Sequence, residues 1–206
     1  MPGSAAQRPT KLAESAFELF AARGFDEVTI DEIAAHVGVT KGSFYSHYKS
    51  KHEIVLAACS HYYRRYQRRI QEELVPLTDP AERLRRVLEI SVRTCIVDER
   101  NRMFTTEIFA LSLKDDQVRK GGAQFYDTVR EMYVGLLMAA QASKQIGGAD
   151  PRRAVDLMLA AIEGVKMRAA FEPHIADPDE QQSIIEGLFG IVASAEYEHG
   201  CVSDTT

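Results

Sequence analysis

Long apolar runs are missing from this 206-residue chain, and nothing in it approaches the ~20 consecutive apolar residues of a membrane-spanning helix. Residues 1–10 are polar and rich in small side chains, which excludes a secretory signal and reads as a polar arm. Cysteine is scarce. Cys59, Cys95 and Cys201 are odd in number, widely spaced and form no CxxC, which fits a reducing, cytoplasmic setting better than a disulfide framework. The six histidines form no HExxH, and Cys59 and His61 stand at i,i+2 on different helix faces. Neither a metal site nor a Cys–His nucleophile is therefore expected. Gly121-Gly122 lacks the preceding strand and the following Lys-Ser/Thr of a phosphate-binding loop. Strand-like alternation, hairpin turns and internal repeats are absent as well. These absences point to an all-α chain that is not an enzyme and carries no cofactor.

What is present is organised around residues 29–51, TIDEIAAHVGVTKGSFYSHYKSK. Thr29 and Glu32 form a capping box that starts a helix, and Ile30, Ile33, Ala34 and Val37 lie on one stripe of it. Gly38 closes that helix by taking the left-handed conformation, and Val39 turns inward. Thr40 caps a second helix whose first turn holds Lys41, Gly42 and Ser43, a place where N–H groups and the dipole favour a phosphate. Phe44 and Tyr48 face the core, while Tyr45, Ser46 and His47 face outward as donors to phosphates or base edges. Two short helices joined by a tight turn are the form of a DNA-reading module.

The run Gly38, Val39, Thr40, Lys41, Gly42, Ser43, Phe44, Tyr45, then His47, Tyr48, Lys49, Ser50, Lys51 and Ile54, resembles the DNA-binding head of the TetR/AcrR regulators. The likeness extends upstream through Ala16 to Ala21, Gly24-Phe25, Val28 to Ile30 and Ile33-Ala34. It covers roughly residues 12–55, and Tyr48 and His52 depart from the commoner phenylalanine and acidic residue. The resemblance implies a three-helix helix-turn-helix head over residues 1–50, followed by a ligand-binding and dimerisation domain over 51–206, about nine helices in all. It also implies a homodimer whose last two long helices form a four-helix bundle between subunits. The candidate DNA contacts are Thr29, Thr40, Lys41, Gly42, Ser43, Tyr45, Ser46, His47 and Lys51.

A net charge of −5 argues against a nucleic-acid partner until it is divided: residues 1–75 carry +1 and the remainder −6. Lys41, Lys49 and Lys51, with His47 and His52, concentrate positive charge in one short segment. The arginine run at 64–69 reads instead as an exposed cationic helix face, partly paired with Glu72 and Glu73.

Further helices are expected from Lys11 to Arg23 with Thr10 as cap, from Ser50 (with a second capping box to Glu53) to Leu74, and after Asp79-Pro80. Others should follow Asp98 or Asn101, run from Asp116 to Ser143, and follow Asp150-Pro151 and Asp177-Pro178. Inward stripes nominate Tyr66, Cys95, Phe104, Glu107, Ile108, Phe125, Tyr133, Met138 and Met158 as a pocket for a medium-sized, largely apolar or aromatic molecule with one polar or cationic group. The dimer face is assigned to Val155, Ile162, Ile184, Leu188, Ile191, Val192 and Ala195. The expected function is a homodimeric regulator, a repressor, that binds a palindromic double-stranded DNA operator and is released by an unidentified small molecule. The alternative is a DNA-binding protein of the same fold with no small-molecule ligand, controlled by a protein partner.

Overall fold

The computed structural model describes residues 8–147 and 150–193, and every regular element among them is helical. In chain order these are α1 (Arg8–Arg23), α2 (Ile30–Val37), α3 (Lys41–Tyr45), α4 (Lys51–Leu74) and α5 (Pro80–Ser91), then a π-helical segment (Val92–Val97). After it come α6 (Glu99–Ser112), α7 (Asp116–Ala142), α8 (Pro151–Arg168), a short 3₁₀ turn (Pro173–Ala176) and α9 (Pro178–Ala193).

Side-chain caps set most of the starts. Asp79, Asp98 and Asp150 each accept the backbone N–H three residues on, at 2.8 Å from Glu82, 3.0 Å from Asn101 and 3.0 Å from Arg153. Pro80 and Pro151 occupy first-turn positions where the missing N–H costs nothing. Two expected starts are corrected. Helix α1 begins at Arg8, so Thr10 lies inside it; Pro9 is tolerated because first-turn N–H groups have no intrahelical partner. At α4, Ser50 Oγ accepts from Glu53 N at 3.2 Å, but the Glu53 carboxylate takes the Lys49 N–H at 2.6 Å, so no reciprocal box closes on Ser50. The helix expected to carry Cys95 passes into the π-helical segment after Ser91, which apolar spacing did not disclose.

The chain packs as two units. One comprises residues 1–73 and 94–128, the other 74–93 and 129–206, so each is assembled from two stretches of the chain. In the first unit the three N-terminal helices share a core with α4, α6 and the start of α7. Phe104 on α6 is fully buried, with its ring centroid 4.9 Å from Phe17, 5.5 Å from Phe25 and 5.6 Å from Tyr62. The contacts with Phe17 and Phe25 are edge-on, a geometry that adds to the burial term. In the second unit α9 packs against α5 and α8 and buries Leu84, Val87, Val155, Met158, Leu188 and Val192. A deep polar pair within it is satisfied: Ser91 Oγ and the Tyr133 hydroxyl lie 2.6 Å apart, and the Ser91 hydroxyl donates to Val87 O at 2.9 Å. Arg85 ties α5 to α9 by an ion pair to Glu186 at 2.6 Å and by stacking its guanidinium over Phe189 at 4.4 Å.

Candidate nucleic-acid interface and a cleft in the first unit

The reading module is assembled from local hydrogen bonds. Thr29 accepts from Glu32 N at 3.2 Å while the Glu32 carboxylate accepts from Thr29 N at 2.8 Å, the expected capping box. The Thr29 bonds, with Arg23 at 2.9 Å, hold the Glu32 carboxyl down to about 2, so it stays ionised. Helix α2 ends at Gly38, whose φ of 74° is the left-handed conformation, and the Val39 N–H returns to Ala34 O at 2.9 Å. Thr40 then accepts from Ser43 N at 3.1 Å and starts α3. Phe44 is fully buried under this turn, and Tyr48, half-buried, donates its hydroxyl to Pro9 O at 3.0 Å.

Thr29, Thr40, Lys41, Gly42, Tyr45 and Ser46 are exposed, and Ser43, His47 and Lys51 are half-buried. The three lysines of this segment are already engaged. Lys41 Nζ lies 2.9 Å from Asp31, which raises its pKa and fixes its charge, and Lys51 Nζ donates to Asp26 O at 3.1 Å, bracing the α1–α2 turn. Lys49 donates to Tyr45 O at 3.0 Å. The Tyr45 hydroxyl is left with no hydrogen bond of its own among the described residues, on a side chain 38% exposed.

Residues nominated for a pocket divide between the units. Phe104 is a core ring and Ile108 is buried beside it, while Tyr133 and Met158 are fully buried in the second unit. Met138 is 56% exposed and joins no inward stripe, because α7 turns that face to the surface. Glu107 has a structural partner: its carboxylate accepts the Phe25 N–H at 3.1 Å, directly after Gly24, whose φ is 84°. It therefore pins the α1–α2 turn to α6. Replacing it by Gln keeps the shape but removes the charge from that bond, and a loss of about 1–2 kcal/mol in denaturant unfolding is expected. An unchanged midpoint would show that the turn holds without it. Cys95 lies half-buried in the π-helical segment.

The first unit does contain a cleft, of about 390 Å³, between α4 and α7. Only Phe125 of the sequence-nominated residues lines it. Its floor is the Tyr63 ring stacked on Phe125 at 4.2 Å and 13°, with Leu56, Cys59 and Val118 beside them. Burial pushes the Cys59 thiol up to about 12 and raises the Tyr63 hydroxyl as well, so both are neutral at physiological pH. Around the floor stand Ser60 and Gln67 from α4 and Gln117, Gln124 and Thr128 from α7, with Arg64 the one charged side chain of the lining. Reasoning from apolar stripes missed these residues because they are polar. Their spacing was the available signal: Ser60, Tyr63 and Gln67 on α4, and Gln117, Gly121, Gln124 and Thr128 on α7, recur at three and four.

At the head of the cleft the two helices are clasped. Asp115 caps α7 by accepting from Gln117 N at 2.9 Å and Val118 N at 3.0 Å, and its other oxygen meets His52 Nε2, in the first turn of α4, at 2.6 Å. The Val118 N–H, followed by the His52 contact, lowers the Asp115 pKa. Among the described residues no three His, Cys, Asp or Glu side chains gather as a metal ion would require. No described helix is long and apolar enough to cross a membrane.

An all-helical chain with this capped helix pair, its exposed polar face and its local basic cluster is a helix-turn-helix regulator of transcription. Residues 12–58 match the family of bacterial regulatory proteins known as the tetR family, and residues 80–189, more than half of the chain, match the C-terminal region of BetI-type transcriptional repressors. The chain belongs to the TetR family. Among curated relatives, the transcriptional regulator YerO of Bacillus subtilis is 41% identical over 56 residues, which are 27% of this chain and 19% of that protein. The transcriptional activator FasR of Mycolicibacterium smegmatis is 34% identical over 83 residues, 40% of this chain and 38% of that one. The chain thus spans well under half the length of the curated relatives it matches. A transcriptional regulator from Saccharomonospora viridis, solved in complex with choline, shares the fold at a TM-score of 0.79 with 19% identity, over 92% of this chain and 97% of that one.

Proposed function

We propose that the protein is a homodimeric repressor whose two heads, in residues 1–50, read the halves of a palindromic operator, with effector binding and dimerisation assigned to residues 51–206. The observation that carries this reading is the exposed face of Thr40, Lys41, Gly42, Tyr45 and Ser46 on a turn fixed by two side-chain caps and a left-handed glycine. One such face covers too little DNA for useful specificity. Two of them, ~34–36 Å apart, fit successive major grooves. Repression rather than activation is supported by the BetI-type match, and FasR, an activator, is the counterexample among relatives.

Release by a small molecule completes the reading. A ligand that lowers operator affinity must itself be bound less tightly by the DNA complex, by the same factor. In the first unit the α4–α7 cleft and the His52–Asp115 clasp connect a ligand-sized space to the helix that follows the reading module. The test is selection of bound sequences from random DNA by the purified protein. A palindrome with half-sites about one turn apart supports the proposal, and an absence of enriched sequence refutes it.

Lys41→Ala should weaken the selected operator and its mismatched variants alike, and should lower the slope of log affinity against log salt by about 1, as loss of one phosphate contact does. An unchanged slope would remove Lys41 from the interface and leave it to Asp31.

A further inference from the structure

We propose that the α4–α7 cleft of the first unit is the effector site, and that it takes a planar aromatic carboxylate rather than a cationic ligand. The release step in this proposal rests on the effector-responsive reading above; the binding step does not. A volume of about 390 Å³ is in the range of small-molecule sites. The stacked Tyr63–Phe125 pair forms an aromatic floor, which favours a flat, apolar ligand body.

The polar end of the ligand is set by the charges. Arg64 is exposed, lines the cleft and makes no ion pair among the described residues, and no carboxylate lines the cleft with it. A guanidinium without an acidic partner binds a carboxylate in fork geometry, and it repels an ammonium. Gln67 and Gln124 supply uncharged donors on opposite walls.

The position of the cleft gives it a consequence. Helices α4 and α7 start together at the His52–Asp115 clasp and form the two walls from the next turn onward. A ligand body that parts these walls works against the clasp, which lies at the first turn of α4, directly after the reading module. Val118 belongs to both: its N–H is held by Asp115, and its side chain lines the cleft.

The experiment is calorimetric titration of the full chain with 2-naphthoate, the neutral 2-naphthamide and the cationic 2-naphthylmethylammonium, followed by operator binding with and without each. Naphthoate is expected to bind about tenfold or more tightly than the other two, and Arg64→Gln should remove its advantage over the amide. Gly121→Leu should abolish binding of all three by filling the cleft. A Cβ there meets no atom within 4 Å and the helix gains propensity, so this variant folds and keeps the operator. Naphthoate should release the operator from the wild type and not from Gly121→Leu. Binding that ignores both substitutions, or that prefers the ammonium, overturns the site. Binding with the stated preferences but no release keeps the site and overturns the effector coupling. Release of the operator by a compound indifferent to Gly121→Leu overturns the site and keeps the regulator reading.

Discussion

Phe104→Ala should lower the stability of the protein by about 3–5 kcal/mol, a large share of the roughly 5–15 kcal/mol that holds a domain folded. The ring is fully buried and touches α1 through Phe17, the α1–α2 turn through Phe25 and α4 through Tyr62. No single-methylene adjustment fills such a gap, because the three neighbours sit on three different elements that would all have to move inward. The melting temperature should therefore fall by roughly 6–20 °C. The comparison is internal to the same helix: Phe109, five residues on, is 61% exposed, and Phe109→Ala should change stability by about 0.5 kcal/mol or less. Equal effects from the two substitutions would show that the aromatic cluster is not what holds α6 to the N-terminal helices. Because Phe25 follows Gly24 in the turn that Glu107 pins, Phe104→Ala should also weaken operator binding well below its own melting temperature.

How much of this was legible in the sequence depends on where the determining interactions lie. The Thr29–Glu32 box, the Gly38 stop and the Thr40 cap are bonds between residues three to five apart, so their spacing alone announced them. The same holds for Asp79, Asp98 and Asp150. Glu53 was misread although it too is local, because its carboxylate can reach either Lys49 or Ser50 and only the entry path of the chain decides. Longer-range partners were not legible. Glu107 bonds to a backbone N–H 82 residues away, and nothing on its own helix distinguishes it from a carboxylate that reaches water. The cleft was missed for a different reason. Inward stripes mark what the chain covers with itself, and the lining of an open cleft is by nature the part left uncovered, here a polar stripe of Ser60, Gln67, Gln117 and Gln124 around two rings.

The proposed dimer face follows the same rule, and it separates two substitutions at neighbouring positions. Val155, Ile162, Leu188 and Val192, expected at the interface, are buried within the second unit, and Ile184 and Ile191 are half-buried; Ala195 lies outside the described residues. The faces of α8 and α9 left outward carry Leu157, 62% exposed, with Gly164 and Gly187, at neither of which a Cβ would meet any atom within 4 Å. An exposed glycine inside a helix costs about 1 kcal/mol relative to alanine, and close approach of a partner helix compensates for it. Gly187→Glu should then leave the single chain folded, since the new side chain projects into open space, while in the dimer it buries a carboxylate without a partner at a cost of several kcal/mol. Sedimentation should show a monomer of unchanged helicity, and operator affinity should fall about 10³-fold or more, towards the level of non-specific binding, because only one half-site is read at a time. Leu188→Glu, one residue on but 3% exposed, places the same carboxylate inside the second unit, and it should unfold that unit rather than dissociate the protein. A Gly187→Glu protein that remains dimeric would move the interface off this face, and a Leu188→Glu protein that is monomeric but folded would mean that α9 packs in the dimer by the side it here turns inward.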